Sequence, residues 1–222
     1  MSGKRAVLAV LITGICLLVS SCAAQDNKSQ DEKNELTGIV GRMFISDQGI
    51  VGPNAPTVDP VVRSGHGVTF EVNYARKLFA TPVVGISGEI PAVFNLDEKL
   101  GSGGDVVPQS YKQVFITPAV RANLFPETAV SLWASVGGGF AHFSESKDLN
   151  YYGMNPGSST TSGVLQGGVG LDLKPFRGRY KSIGFRGQAR DFWSGTLDLP
   201  LADTGKTRQH NYFVGAGVIW SF

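Results

Sequence analysis

A chain of 222 residues has the length that a single all-β barrel or sandwich commonly occupies. Charged residues are only 17% of it and hydrophobic ones 42%, which excludes a charged disordered chain. Glycine, at 29 residues, is about twice its ordinary share of roughly 7%, and it sits inside apolar stretches such as VGGGF (136–140) and GGVGLDL (167–173).

The first element is a targeting segment. Lys4 and Arg5 precede the apolar run AVLAVLITGICLLV (6–19), and small residues SSCAA follow, the order of a secretory signal peptide. At 14 residues the run is shorter than the roughly 17–25 that a bilayer-spanning helix needs. Two processing routes are open. Val19-Ser20-Ser21-Cys22 resembles a bacterial lipobox, which would lipidate Cys22, whereas cleavage after Ala24 also has small residues at the right offsets. Either route removes Cys16, so no intramolecular disulfide is expected. Removing residues 1–24 takes away Lys4 and Arg5 and no acid, leaving 18 basic and 18 acidic residues and no argument for a nucleic-acid partner. The domains expected are a signal peptide (1–24), a polar leader (25–35, QDNKSQDEKNE) and a β-barrel (36–222).

From residue 36 onward apolar and polar residues alternate in eight runs: 37–46, 67–78, 82–94, 111–125, 129–143, 162–174, 180–193 and 210–222. Period-2 alternation predicts strands. Runs of 10 to 15 residues exceed the usual globular strand of about 5–6 and suit a tilted crossing of a bilayer, which takes about 9–11. The connections alternate as well. Those at 47–66, 95–110, 144–161 and 194–209 span 16 to 20 residues, while those at 79–81, 126–128 and 175–179 span three to five. An even strand number with long loops at one end and short turns at the other predicts an eight-stranded antiparallel up-and-down barrel in an outer membrane, with extracellular loops and periplasmic termini.

The two faces of each run are consistent with lipid outside. Ile183, Phe185, Gly187 and Ala189 oppose Ser182, Gly184, Arg186, Gln188 and Arg190; Val68, Phe70, Val72 and Tyr74 oppose Thr69, Glu71, Asn73 and Ala75. A charge facing hydrocarbon costs about 2–4 kcal/mol at mid-depth. The charged strand residues Arg42, Glu71, Glu89, Arg121, Asp172, Arg186 and Arg190 are therefore expected inside, paired with one another because an unpaired buried charge is expensive. An eight-stranded barrel is just wide enough for side chains to fill, so Arg/carboxylate pairing is expected to plug the interior. Aromatics fall at strand ends, with Phe44, Phe94, Tyr111, Phe143, Trp193 and Tyr212 at one rim and Phe79, Phe125, Phe176, Tyr180, Trp220 and Phe222 at the other, as interfacial girdles do.

Over about residues 36–222 the chain resembles the small eight-stranded outer-membrane barrels, the group of the OmpA transmembrane domain, OmpX and the opacity-type surface proteins. The last strand carries the likeness, with Tyr212, Val214, Ala216, Val218, Trp220 and Phe222 at alternate positions and a terminal aromatic. The resemblance implies that these residues are a C-terminal signal read by the barrel-assembly machinery.

Signals for chemistry are weak. His66, His142 and His210 match no metal-ligand spacing. GSGGD (101–105) and GGVG (167–170) precede no helix and do not predict a phosphate cradle. A lipid-modifying site would need an outward His or Ser near the loop rim, and His142 with Ser144 is the candidate pair. The expectation is a non-enzymatic, cofactor-free monomer whose partners are outer-membrane lipid, the assembly machinery and surface ligands met through the loops. Its role would be envelope integrity or adhesion. A small-solute channel is the alternative, and a soluble lipocalin-like carrier, with apolar residues facing inward, is a second.

Overall fold

Where the sequence alternates, the backbone is extended. A computed structural model describes residues 33–52, 61–64, 67–101, 110–145, 159–175, 182–196 and 205–222. The signal peptide, Cys22, most of the polar leader, His66, Phe176 and Tyr180 lie outside the described residues.

The strands are β1 (Asn34–Ile45), β2 (Gln48–Gly49), β3 (Val61–Ser64), β4 (Val68–Ala80), β5 (Val84–Gly101), β6 (Ser110–Ile116), β7 (Ala119–Leu124), β8 (Val130–Glu145), β9 (Ser159–Leu173), β10 (Ile183–Gly195) and β11 (Arg208–Ser221). The described residues contain no helix. β1 pairs antiparallel with β4 on one side and with β11 on the other, from Glu35↔Ser221 to Ile45↔Asn211. Pairing then continues β4–β5, β5 with β6 and β7, β8, β9, β10 and β11, so the sheet closes on itself. β6 and β7 together make one stave, β2 and β3 lie in the first long connection, and the wall therefore has eight staves. Closure leaves no free edge in the eight-stave wall to recruit another chain. The strands lead into the long connections at one end, called here the loop end, and β1 begins and β11 ends at the other, the terminal end.

The shared stave is broken for a local reason. Ala92↔Ile116 is the last β5–β6 pair and Glu89↔Ala119 the first β5–β7 pair, so Ile90-Pro91 face Thr117-Pro118. Neither proline has an N–H to give, and the ladder is bridged there by Thr117 N–H donating to Pro91 O at 3.3 Å. The strand ends also differ from the sequence expectation. β5 runs on to Gly101, where β3 pairs with it (Arg63↔Gly101, Ser64↔Leu100), so part of the first connection is a short β-structure over the loop end.

Side chains alternate across the wall as the pleat requires. Val40, Phe70, Val120, Leu132, Val136, Leu165, Val169, Val214 and Val218 are exposed on the outer face. An apolar band of this extent is far larger than the patches a water-soluble monomer presents. The interior is layered. Toward the terminal end it is charged and hydrogen-bonded; toward the loop end Ile39, Met43, Val93, Tyr111, Phe115, Ala141, Phe143, Phe192 and Phe213 form an apolar cluster, with Ile50 and Val62 of the first connection joined to it.

Candidate functional site

Three arginines from two staves, Arg121 of β7 and Arg186 and Arg190 of β10, meet at the centre of the charged layer. Arg186 makes a forked contact with Asp172, Nε to Oδ1 at 2.7 Å and Nη2 to Oδ2 at 2.7 Å, and its Nη2 also donates to Glu35 Oε1 at 2.9 Å. Arg121 Nη1 donates to the same Glu35 oxygen at 2.8 Å. Arg190 Nη1 donates to Glu89 Oε1 at 2.8 Å, with Glu71 Oε2 3.4 Å from its Nε. Asn73 Nδ2 donates to Glu89 Oε2 at 3.0 Å, and Gln188 Nε2 donates to Glu71 Oε2. Planar guanidinium forks suit such shared carboxylates, which a lysine would serve as a point charge.

Trp133 organises this layer. Its Nε1–H donates to Asp172 Oδ1 at 3.0 Å, and Arg186, Arg190 and Arg121 lie 5.1, 5.1 and 5.8 Å from its ring centroid. One aromatic ring thus attracts three cations that would otherwise repel. Three arginines face four carboxylates, Glu35, Glu71, Glu89 and Asp172, and Lys174 adds attraction at Glu35 from the terminal rim. Above them Ser135 Oγ accepts from Gln166 Nε2 at 3.0 Å and from Arg190 Nη1 at 3.3 Å. The aromatic layer then follows, with Phe115 stacked on Phe192 at 4.8 Å and edge-on to Phe143 at 6.0 Å. Arg186, Arg190, Tyr111, Phe115, Phe143, Phe192 and Phe213 are each less than 2% exposed, so side chains occupy the cross-section at both levels.

Of the seven charged residues expected inside, the structure brings together Glu71, Glu89, Arg121, Asp172, Arg186 and Arg190, all buried. Arg42 is a correction. In β1 the inward positions are Glu35, Thr37, Ile39, Gly41 and Met43, so the pleat turns Arg42 outward with Leu36, Val40 and Phe44. The cost of a charge in hydrocarbon does not forbid this, because near an interface it falls to about 0–1 kcal/mol and a long guanidinium stem can reach polar surroundings. Its place inside is taken by Glu35, the last residue of the expected polar leader. The signal for Glu35 was its odd-numbered phase with Thr37 and Ile39.

Two rim aromatics are also corrected. Tyr111 and Phe143 are buried in the apolar cluster and belong to no outer girdle. Pairing of charges fills only the terminal half of the interior, and the inward apolar residues expected of a soluble carrier are present in the other half, together with the apolar outer band. The six alternate residues of the last strand, Tyr212, Val214, Ala216, Val218, Trp220 and Phe222, all face outward. Asn34 and Phe222 exchange two backbone hydrogen bonds of 2.9 and 2.8 Å where the barrel closes. His142 is exposed with Nδ1 2.9 Å from Thr161 Oγ1, so its ring is engaged across to β9 and not with Ser144. Among the described residues no three His, Cys, Asp or Glu side chains converge in a metal-binding group.

A closed eight-stave antiparallel barrel with an apolar exterior and a filled polar-to-aromatic interior is the fold of the small outer-membrane barrels. Neisserial surface protein A matches it with a TM-score of 0.53 at 10% identity, over 85% of this chain and 97% of that one. OprG from Pseudomonas aeruginosa matches with a TM-score of 0.53 at 11% identity, over 86% and 96%. Identities this low carry the fold and nothing finer. No protein-family model matches the sequence, and no curated protein matches it.

Proposed function

We propose that this protein is a non-enzymatic, non-conducting barrel of the outer membrane, with extracellular loops and periplasmic termini, that acts as a rigid support for surface interactions or envelope integrity. The observation that carries the reading is the filled cross-section, with a salt-bridged layer below a stacked aromatic layer. A rigid wall presenting four long connections at one end suits contact with surface ligands, while the filled lumen leaves little room for solute. The test is conductance in planar bilayers. Protein reconstituted from detergent should give no large stable steps, and such steps would overturn the reading.

A second reading, passage of water or very small solutes, has one observation in its favour. Both amide atoms of the buried Gln113, and Glu71 Oε1, lack a hydrogen-bond partner in the protein, and buried polar atoms of this kind are usually satisfied by water. Small, brief conductance events would support it.

The last strand supplies a separate prediction. Removing Phe222 deletes an outward aromatic at the terminal rim together with both hydrogen bonds that it exchanges with Asn34. If the terminal aromatic is the assembly signal, the membrane level of the shortened protein falls several-fold while its export is unchanged. Equal levels in immunoblots of membrane fractions would count against the assembly role.

A further inference from the structure

Glu71 is the carboxyl that the charged layer leaves unmatched. Among the described residues the buried charged side chains are Arg121, Arg186 and Arg190 against Glu35, Glu71, Glu89 and Asp172, one acid in excess. Arg186 spans Asp172 and Glu35, and Arg121 and Lys174 add further attraction at Glu35. Arg190 is left between two carboxylates. It commits Nη1 to Glu89 Oε1 at 2.8 Å, and Glu89 also has Arg121 at 3.5 Å, whereas Glu71 has only Arg190 Nε at 3.4 Å. The excess negative charge therefore falls on Glu71. Its cross-strand partners are Ile39 of β1 and Val93 of β5, both buried and apolar, so this carboxyl lies where the charged layer meets the apolar one.

The hydrogen bonds around Glu71 point the same way. Gln188 Nε2 donates to Oε2, and Arg190 Nε stands on that same oxygen, while Oε1 has no partner in the protein. Two amide oxygens in the same group also lack a donor, Asn73 Oδ1 and Gln188 Oε1. Neither amide can be turned round to supply one, because Asn73 Nδ2 is held by Glu89 Oε2 at 3.0 Å and Gln188 Nε2 by Glu71 itself. Reversal would set an amide oxygen against a carboxylate oxygen. Asn73 is the next inward residue of β4, and Gln188 already touches Glu71 across the interior. A carboxylic acid resolves the set, with Oε2 kept as the acceptor and Oε1 turned into a hydroxyl donor. We propose that Glu71 is a single-proton site, held as the neutral acid at neutral pH, with Oε1–H donating to one of these two amide oxygens. The proton cancels the excess charge, which between apolar neighbours has no other counterpart. It also makes the contact between β4 and β10 proton-dependent, since without it Glu71 and Glu89 are both anions around Arg190. The charged groups that act on the site are Glu89 of β5, Arg186 and Arg190 of β10 and, through Glu89, Arg121 of β7.

The experiment is infrared spectroscopy of the folded full chain in detergent micelles at neutral pH, in heavy water. A neutral carboxyl absorbs at higher frequency than a carboxylate and clear of the amide band, and the exposed acids are ionised there. The parent should show one such carbonyl band. Glu71→Gln should lose it, while Glu89→Gln and Asp172→Asn should keep it. Glutamine offers an acceptor and a donor at the two Glu71 positions, so the Glu71→Gln variant should retain its folded, heat-modifiable form. A second measurement needs no variant. Unfolding the parent in urea at neutral pH should abolish the band and release about one proton into weakly buffered solution, as linkage requires of a site that is protonated only in the folded state. A folded parent without the band, or a band that survives Glu71→Gln, would overturn the proposal. So would a urea midpoint that rises with sodium or potassium at constant ionic strength in the absence of the band, since a bound cation would then carry the balancing charge. None of these readings depends on whether the barrel conducts, so conductance steps would reject the proposed function and leave the proton site standing.

Discussion

Alanine in place of Arg186 should destabilise the folded barrel by about 3–5 kcal/mol, seen as a lower urea midpoint for loss of the heat-modifiable band. The size follows from what the substitution abandons. Arg186 supplies Asp172 with both its guanidinium contacts and shares Glu35 with Arg121. Without it Asp172 keeps one neutral donor, Trp133 Nε1, and Glu35 keeps Arg121 and the weak Thr37 contact at 3.5 Å. An anion left in a barrel surrounded by hydrocarbon has little water to turn to. The double variant Arg186→Met with Asp172→Asn removes both charges and retains an acceptor for Trp133. It should recover a substantial part of the loss, since a missing pair costs less than half of a pair. Arg42→Ala, on the outer face, should change stability by no more than about 1 kcal/mol. If Arg42→Ala proved as damaging as Arg186→Ala, the division into inner and outer arginines would be wrong.

That division also shows what the sequence could and could not reveal. Strand alternation in β10 separated Arg186, Gln188 and Arg190 from Phe185, Gly187 and Ala189, and the backbone follows it residue by residue. Alternation fixes which residues share a face, and an energetic argument must then say which face is inside. For Arg42 the two disagreed. Hydrocarbon cost argues for the inside, whereas the phase of Thr37, Ile39 and Met43 turns Arg42 outward, and the cost depends on depth, which is not visible in a sequence. Glu35 was hidden for the opposite reason, since it adjoins the acidic and amide-rich leader. The apolar upper layer was legible in part. Tyr111 and Phe115 share the odd-numbered phase of Arg121, which is expected inside, but an aromatic near a strand end reads equally well as a girdle. Trp133 gave no sign of its role, because three arginines from β7 and β10 reach it only after closure. The β2–β3 segment was invisible too, being held by pairing to the distant end of β5.

A large backbone effect is expected at Gly139. A Cβ there would press into the carbonyl oxygen of Ile116 and lie 2.8 Å from Thr117 Cα, and both neighbours are main chain. Gly137 is in the same situation against Pro118 and Ala119. These two glycines face the break between β6 and β7, where the paired prolines interrupt the ladder and the wall closes tightly onto β8. Flexible side chains could make room, but a strand backbone cannot move without opening its hydrogen bonds to β5 and β8. Gly139→Val should therefore cost 4 kcal/mol or more, about the threshold of exceptional substitutions, and should reduce the fraction that refolds into detergent micelles as a heat-modifiable species. Gly163 is the matched control, because it pairs with Phe140 across the same two strands but faces outward with nothing within 4 Å of its added Cβ. Gly163→Val should be within about 0.5 kcal/mol of the parent, with any gain coming from the better strand propensity of valine. Equal refolding yields for the two valine variants would mean that the β6–β7 break does not pack against β8 as described. The glycine excess would then need a reason other than the close approach of backbone inside a narrow barrel.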